Sequence, residues 1–368
     1  MNYLIEAQSQ LTDIEPLFAQ LKQTSGVVAV DTEFLREKTY NAKLCLIQLG
    51  IGEHQYCIDV LAISDLSSIK ALLTEPAVLK LFHAARQDME VLYQTLGVLP
   101  TPIFDTQLAA AFCGSDMQIG YAALVQEITG IELPKTQSRT DWTRRPLSAD
   151  QVKYAGEDVQ YLASLYRELE QRMETQQKTA WYTEEIATYY DVDKYEINPE
   201  LAYKRLSGGN LSLQQQYLLK ALAAWRESCA QQRDIPRSWV IRDDKLYELV
   251  IQRPTTEQQI RTLQAFGRKS ANYLIPQALD VIKRTKTEEK RLWRRVEPLN
   301  KEEKSVCSKL MKEVASQSKA LSVAQALLGT RKDIENLFRH RQSKKLLRGW
   351  RQAVIGEHLI EYLRELGV

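Results

Sequence analysis

With 368 residues, 44 % of them hydrophobic and 26 % charged, the chain has material for two or three soluble domains with sizeable cores. It contains no stretch of about 18 apolar residues, and Met1 to Glu6 lacks the basic start and long apolar run of a signal peptide, so neither a membrane span nor an export signal is expected and the chain reads as cytoplasmic. The net charge of +2 conceals a division: residues 1–190 carry 15 Lys+Arg against 25 Asp+Glu, a balance of −10, and the remainder 34 against 22, a balance of +12.

Taken in order, residues 3 to 5 read as a short strand, and Thr12 with Glu15 three positions on reads as the capping box of a helix running to Lys22. Gly26 then precedes Val27 to Val30, an apolar, mostly β-branched run expected as a buried strand, with Asp31 and Glu33 at its end. Leu44 to Leu49 and Gln55 to Asp59 follow, with Gly50 and Gly52 between them, and the three runs predict an antiparallel meander. Helical pattern from Asp65 to Leu73 leads to another strand, Val78 to Phe82, and then to a helix on which Met89, Leu92, Tyr93 and Leu96 are periodic and Asp88 lies near the start. Ile103 to Asp105 and two helices, Thr106 to Phe112 and Tyr121 to Thr129, complete a mixed sheet with helices around it. In the basic loop Leu133 to Leu147, Lys135, Arg139, Arg144 and Arg145 surround Trp142; the composition suits phosphate contacts and base stacking, or a solvated loop with its tryptophan on the core. Ser148 caps a long helix on which Tyr154 and Asp158, four apart, share a face.

The polar, tyrosine-rich stretch 177–208 reads as a linker. Beyond it the pattern is helical: Ser212 with Gln215 opens a helix carrying Tyr217, Leu218, Leu222 and Trp225, Arg233 to Pro236 breaks it, and a final set spans Lys301 to Leu366. The expected boundaries are an α/β domain 1–176, a linker 177–208, and helical domains 209–295 and 296–368. Five cysteines, scattered and without metal-ligand spacing, are expected as buried thiols in a reducing compartment.

In an extended strand residues i and i+2 point to one side, so Asp31 and Glu33 project together, and like charges that close repel unless a cation lies between them. An acidic surface turn is the plain alternative for this pair alone. Asp88 and Asp158, at elements expected to converge on it, make four carboxylates, enough to hold two divalent ions in a site suited to phosphodiester cleavage. Tyr154, one helical turn before Asp158, could set its hydroxyl against the attacking water; an ordinary phenol pKa near 10 favours orienting that water over deprotonating it. The basic C-terminal half is what a polyanion would be drawn to.

Val30-Asp31-Thr-Glu33-Phe34, then Phe82-His83-Ala-Ala-Arg-Gln-Asp88, then Tyr154-Ala-Gly-Glu-Asp158-Val resemble the three exonuclease motifs of the DEDD superfamily, in the subclass with tyrosine in the third. Leu213 to Leu222 with Trp225-Arg-Glu227 resembles HRDC domains, and a nuclease followed by two such modules at this length resembles the bacterial ribonuclease D family. The resemblance implies an α/β protein: a ribonuclease-H-like exonuclease domain with a mixed sheet, followed by two small all-α HRDC-like domains. It implies 3′→5′ hydrolysis of RNA from a free 3′ end, release of nucleoside 5′-monophosphates, and trimming of tRNA precursors and other small structured RNAs. Two divalent ions, Mg²⁺ or Mn²⁺, are implied. Carried over by position, Asp31 would bridge them, Glu33 and Asp158 would complete one site, Asp88 would serve the other, and Tyr154 would position the water. Phe34, Gln48, His83, Lys135, Trp142 and Arg145 are candidate RNA contacts; core packing is the alternative for Phe34 and a satisfied buried ring for His83. Asp105 reads as a carboxylate behind the metal ligands or as a helix cap, the cap being favoured.

Two other functions compete. A DNA 3′→5′ exonuclease would use the same chemistry, but no polymerase region accompanies the nuclease motifs. A non-catalytic RNA-binding protein on this fold predicts the loss of at least one metal carboxylate, and none is lost. A helicase would need a G-x-x-x-x-G-K-[S/T] phosphate loop, which the chain lacks. The expected partner is therefore RNA rather than a membrane, and the working expectation is a monomer.

Overall fold

The computed structural model describes residues 1–134, 140–295 and 297–367. Its first compact unit comprises Met1–Leu35, Leu44–Asp191 and the chain from Leu299 onward; the second comprises Arg36–Lys43 and Val192–Pro298.

The first unit is built on a six-stranded sheet of β1 (Asn2–Ile5), β2 (Val27–Leu35), β3 (Lys43–Ile51), β4 (His54–Ile58), β5 (Leu79–Phe82) and β6 (Ile103–Asp105), in the order β1-β4-β3-β2-β5-β6. β3 and β4 are antiparallel, as a two-residue turn requires, whereas β1 runs parallel to β4, and β5 parallel to both β2 and β6. Helix α1 (Gln8–Gln23) connects β1 to β2, α2 (Ser67–Thr74) leads into β5, and α3 (Arg86–Leu96) carries the chain from β5 toward β6. The box expected at Thr12 is not the start of α1. The helix begins four residues earlier, where Gln10 Oε1 accepts the Ala7 N–H at 3.0 Å and the Glu6 N–H at 2.8 Å, and Thr12 lies inside it with its hydroxyl donating to Gln8 O.

Helices α4 (Thr106–Phe112), α5 (Tyr121–Thr129), α6 (Ala149–Gln160) and α7 (Leu162–Thr175) follow. α6 approaches the sheet closely because small residues line the contact. A Cβ on Gly50 of β3 would lie 2.9 Å from the Ala29 Cβ and 3.0 Å from the Val159 carbonyl oxygen, and one on Gly156 would lie 2.6 Å from the Asn2 side chain. Only glycine permits that spacing, which brings the last turn of α6 over β2.

The stretch expected as a linker is ordered on both sides of Asp191. Helix α8 (Thr179–Ala187) belongs to the first unit; its Tyr182 is buried against Phe104, ring centroids 5.0 Å apart. Tyrosine reads as polar in sequence, yet it buries a large ring once its hydroxyl finds a partner. The second unit holds α9 (Leu213–Arg233), α10 (Arg237–Val240), α11 (Asp243–Gln252), α12 (Glu257–Thr262) and α13 (Arg268–Arg284) around a core that includes Leu218, Leu222, Leu246, Leu249, Ile260 and Leu274. The β2–β3 connection is part of that unit: Asp234 Oδ1 accepts the Tyr40 N–H at 3.0 Å, and the Tyr40 hydroxyl donates to Glu227.

The last helices are α14 (Lys301–Leu321), α15 (Gln325–Leu328), α16 (Arg331–His340), α17 (Gly349–Arg351) and, after a π turn, α18 (Glu357–Glu365). They pack on α4 and α8 of the same unit. Lys178 Nζ donates to Phe112 O at 2.7 Å and Ser322 O at 2.9 Å, Trp350 stacks on Trp181 at 5.0 Å, and Arg351 pairs with Glu185 at 2.7 Å. Among the described residues no helix is long and apolar enough to cross a membrane, and all five cysteines are free thiols.

Candidate active site

Asp31 and Glu33 alternate with Thr32 on β2 and so leave the strand on one side. Asp158 descends on them from the last turn of α6, and one ligand oxygen from each of the three lies within 4.8 Å of the others. Thr32 points the other way and ties in the fourth carboxylate: its hydroxyl donates to Asp88 Oδ1 at 2.5 Å, and Asp88, in the first turn of α3, is buried. β2 thus connects all four acids through three consecutive residues.

The electrostatics of this cluster are those of uncompensated like charge. Burial, followed by the charges of Asp88, Asp158 and Glu33, holds the Asp31 carboxyl well above the usual range. Burial and the charges of Asp158 and Asp88 push Glu33 up to about 8. Asp88 and Asp158 rise to about 7, burial again leading, against hydrogen bonds from Thr32 and Tyr154 respectively that favour the ionised form. The Tyr154 hydroxyl bonds Asp158, and burial beside three carboxylates raises its pKa further, so the phenol keeps its proton at neutral pH. The donor set is oxygen only, carboxylate only and partly open to solvent, which fits a hard divalent cation that retains some of its water.

The remaining candidates fall elsewhere. Trp142 is 3 % exposed and packs with Cys45, Leu46, Cys57 and Leu147, its ring 6.2 Å from that of Tyr154. It offers no face to a base, so of the two readings the stacking one is corrected and the core one holds, with the ring as a support beneath Tyr154. Arg145 is likewise corrected from a phosphate contact to an internal clamp: Nε and Nη2 donate to the Asp59 carboxylate at 2.5 and 2.6 Å, and Nη1 and Nη2 reach the Trp142 and Cys45 carbonyls at 2.7 and 3.2 Å. Gln48 is fully buried opposite Cys57 in the β3–β4 ladder, which removes it from the RNA surface. His83 is a satisfied ring: Nε2 donates to Ile119 O at 3.0 Å, Nδ1 lies 2.9 Å from the Thr106 hydroxyl, and Tyr121 packs edge-on against it. Phe34 is half-buried at the end of β2, next to Glu33. Lys135 lies outside the described residues.

Sequence reasoning passed over two supports of the site. Thr32 carries its own signal, a hydroxyl between two acids on a strand, which must face the opposite side. Tyr121 carries none: its hydroxyl donates to Glu157 O at 3.1 Å and accepts the Tyr161 N–H at 3.0 Å, fixing the break between α6 and α7 where Asp158 sits, across a separation of 36 to 40 residues.

Residues 5–174 match the model of the 3′-5′ exonuclease family, and residues 215–282 match that of the HRDC domain. The chain is 33 % identical to ribonuclease D of Bartonella henselae over 99 % of its own length and 91 % of the relative's. It is 35 % identical to that of Granulibacter bethesdensis over 90 % and 85 %. Its fold matches the crystal structure of Escherichia coli RNase D, described as an exoribonuclease involved in structured RNA processing, with a TM-score of 0.86 and 30 % identity over 99 % of both chains.

Proposed function

The chain belongs to the ribonuclease D family, and from that membership we propose that it trims tRNA precursors and other small structured RNAs from their 3′ ends by two-metal-ion hydrolysis. It is a 3′→5′ exoribonuclease. The observation that carries the mechanistic reading is the convergence of Asp31, Glu33 and Asp158 oxygens within 4.8 Å, with Asp88 joined to them through Thr32.

In this reading the four carboxylates would hold the ions, Glu33 and Asp158 serving one site, Asp88 the other, and Asp31 both. Bound there, Mg²⁺ or Mn²⁺ supplies Lewis acidity for the attacking water and offsets the charge developing on phosphorus and on the leaving 3′ oxygen. The chain's own contribution is position. β2 and α6 fix the carboxylates, and Tyr154, held by Asp158 and resting on Trp142, presents a protonated hydroxyl that orients the water. Each cycle releases a nucleoside 5′-monophosphate. The excess of 34 Lys+Arg over 22 Asp+Glu beyond residue 190 supports salt-sensitive binding of the RNA body by the helical half, which we read as an HRDC domain and a second HRDC-like set. Five free cysteines agree with a reducing cytoplasm, where the enzyme acts as a monomer.

The test is time-resolved cleavage of 5′-labelled tRNA bearing extra 3′ nucleotides, with Mg²⁺ or EDTA, beside a matched DNA strand. Stepwise 3′ shortening of RNA that requires the metal, with DNA shortened far more slowly, is expected. Metal-independent shortening would overturn the two-metal reading, and equal rates on DNA would overturn the substrate.

A further inference from the structure

We propose that Asp105 is a positioning residue for Asp88 and that Tyr189 completes its hold. The inference rests on reading Asp88 as a metal ligand. Asp105 ends β6, is 1 % exposed, and accepts five hydrogen bonds. Two come from the Gln107 and Leu108 N–H groups at 2.9 and 3.2 Å, which is the work of a helix cap on α4. The other three lie outside that work. Oδ1 also accepts the Ala84 N–H at 3.1 Å, and Oδ2 accepts the Ala85 N–H at 3.0 Å and the Tyr189 hydroxyl at 3.3 Å.

Ala84 and Ala85 form the turn from β5 into α3, and Ala84 has φ +60, a left-handed conformation that a residue with a Cβ does not adopt unaided. The carboxylate of Asp105 holds that turn. α3 starts at the next residue, and Asp88 is its third, so the direction in which the turn launches the helix sets where the Asp88 carboxylate lies. Tyr189 secures the same corner from outside: the Arg86 guanidinium, first residue of α3, lies 4.3 Å over its ring while its hydroxyl meets Asp105. Two further tyrosines anchor β6, Tyr182 accepting the Asp105 N–H at 2.8 Å and Tyr190 the Ile103 N–H at 2.9 Å. All three follow residue 174, where the match to the exonuclease family ends. The segment after that boundary is therefore part of the apparatus that aims Asp88.

The experiment measures Mn²⁺ binding to the full chain by calorimetry without RNA, together with kcat and KM on a short oligoribonucleotide. Asp105→Ser keeps a capping hydroxyl for α4 but is too short to reach Ala84 and Ala85. It is expected to bind Mn²⁺ about 10- to 100-fold more weakly and to lose kcat in proportion, with KM for RNA unchanged, the range typical of residues that orient metal ligands. Tyr189→Phe should shift both in the same direction by less. Asp88→Asn, the control, should weaken Mn²⁺ binding at least as much as Asp105→Ser. Wild-type Mn²⁺ affinity in Asp88→Asn removes the ligand reading itself. Loss of binding in Asp88→Asn with wild-type affinity in folded Asp105→Ser overturns the positioning role alone. If Asp105→Ser does not fold, Tyr189→Phe decides, and wild-type affinity there overturns it.

Discussion

The nuclease unit buries carboxylates in two opposite ways. Asp59, 1 % exposed, meets the Arg145 guanidinium at 2.5 and 2.6 Å and also accepts the Leu61 N–H at 2.9 Å. Its charge is neutralised within the chain, and the Arg145 pKa is raised by the same bond. Asp31, Glu33 and Asp158 face one another instead; burial with the charges of Asp158 and Asp88 pushes Glu33 up to about 8, and burial with those of Glu157 and Asp88 pushes Asp158 to about 7. Charge that the fold compensates is structural; charge that it gathers and leaves uncompensated is a site that waits for a cation from solution. A functional site of this kind costs stability, because the protein is most strained electrostatically where it is most useful.

That contrast breaks most visibly at Asp31. Asp31→Asn removes one proposed metal ligand and one like charge, so activity on RNA should fall by about 10³-fold, the upper end for deleting a single charge-stabilising group. The metal-free protein should become more stable by about 0.5–2 kcal/mol, the range of gains from relieving such repulsion. Chemical denaturation in EDTA reads the second effect; a loss of stability there would mean that the cluster is not repulsive. Arg145→Ala should do the reverse. It leaves Asp59 buried and unpaired, at a cost of about 3 kcal/mol to the fold, while KM for RNA stays at the wild-type value. A raised KM with unchanged stability would return Arg145 to the RNA surface.

How much of this was legible depends on the range of the interaction. The D-x-E pair, and Tyr154 with Asp158 on one helix face, are local periodicities of two and four, and local period is what a sequence displays directly. Arg145 reads as a phosphate contact, and Trp142 as either a stacking ring or a core one, because a cation and an aromatic in a loop declare nothing about where they point. Their partners, Asp59 and Cys45, lie 86 and 97 positions away. The start of α1 was misplaced because Thr12 has the right chemistry for a cap, whereas the bonding to Ala7 and Glu6 comes from Gln10. The tyrosines at 182, 189 and 190 gave their stretch a linker's composition, and only the tertiary fold shows their hydroxyls spent on β6 and Asp105.

Within the site, Tyr154 sharpens the comparison at a finer scale. Its proton is retained at neutral pH, so it orients rather than abstracts, and Tyr154→Phe should lower kcat by about 10²-fold, the lower bound for a positioned proton-handling group, with Mn²⁺ affinity and KM little changed. A rate that rises with a slope toward pH 10 in wild type and loses that slope in Tyr154→Phe would instead make the phenolate a base.

The smallest effect tests the origin of the contrast. Glu33, Asp88 and Asp158 titrate near 8, 7 and 7 in the metal-free fold, and near 4 once unfolded. Below about pH 4 both states hold these protons and the acids cost the fold nothing. Between pH 4 and 8 the unfolded chain releases them more readily, so metal-free stability must decline as pH rises through that window. A divalent ion binds the deprotonated carboxylates, hence it competes with protons and gains on them as pH rises. Thermal unfolding with and without Mg²⁺ should therefore show a stabilisation of several °C at pH 8 that shrinks toward pH 6, a magnitude set by about 1–2 kcal/mol in a protein of this size. Asp59 offers the internal control, since Arg145 and not a metal meets its charge. The increment should vanish in Asp31→Asn and persist in any Arg145 variant that remains folded.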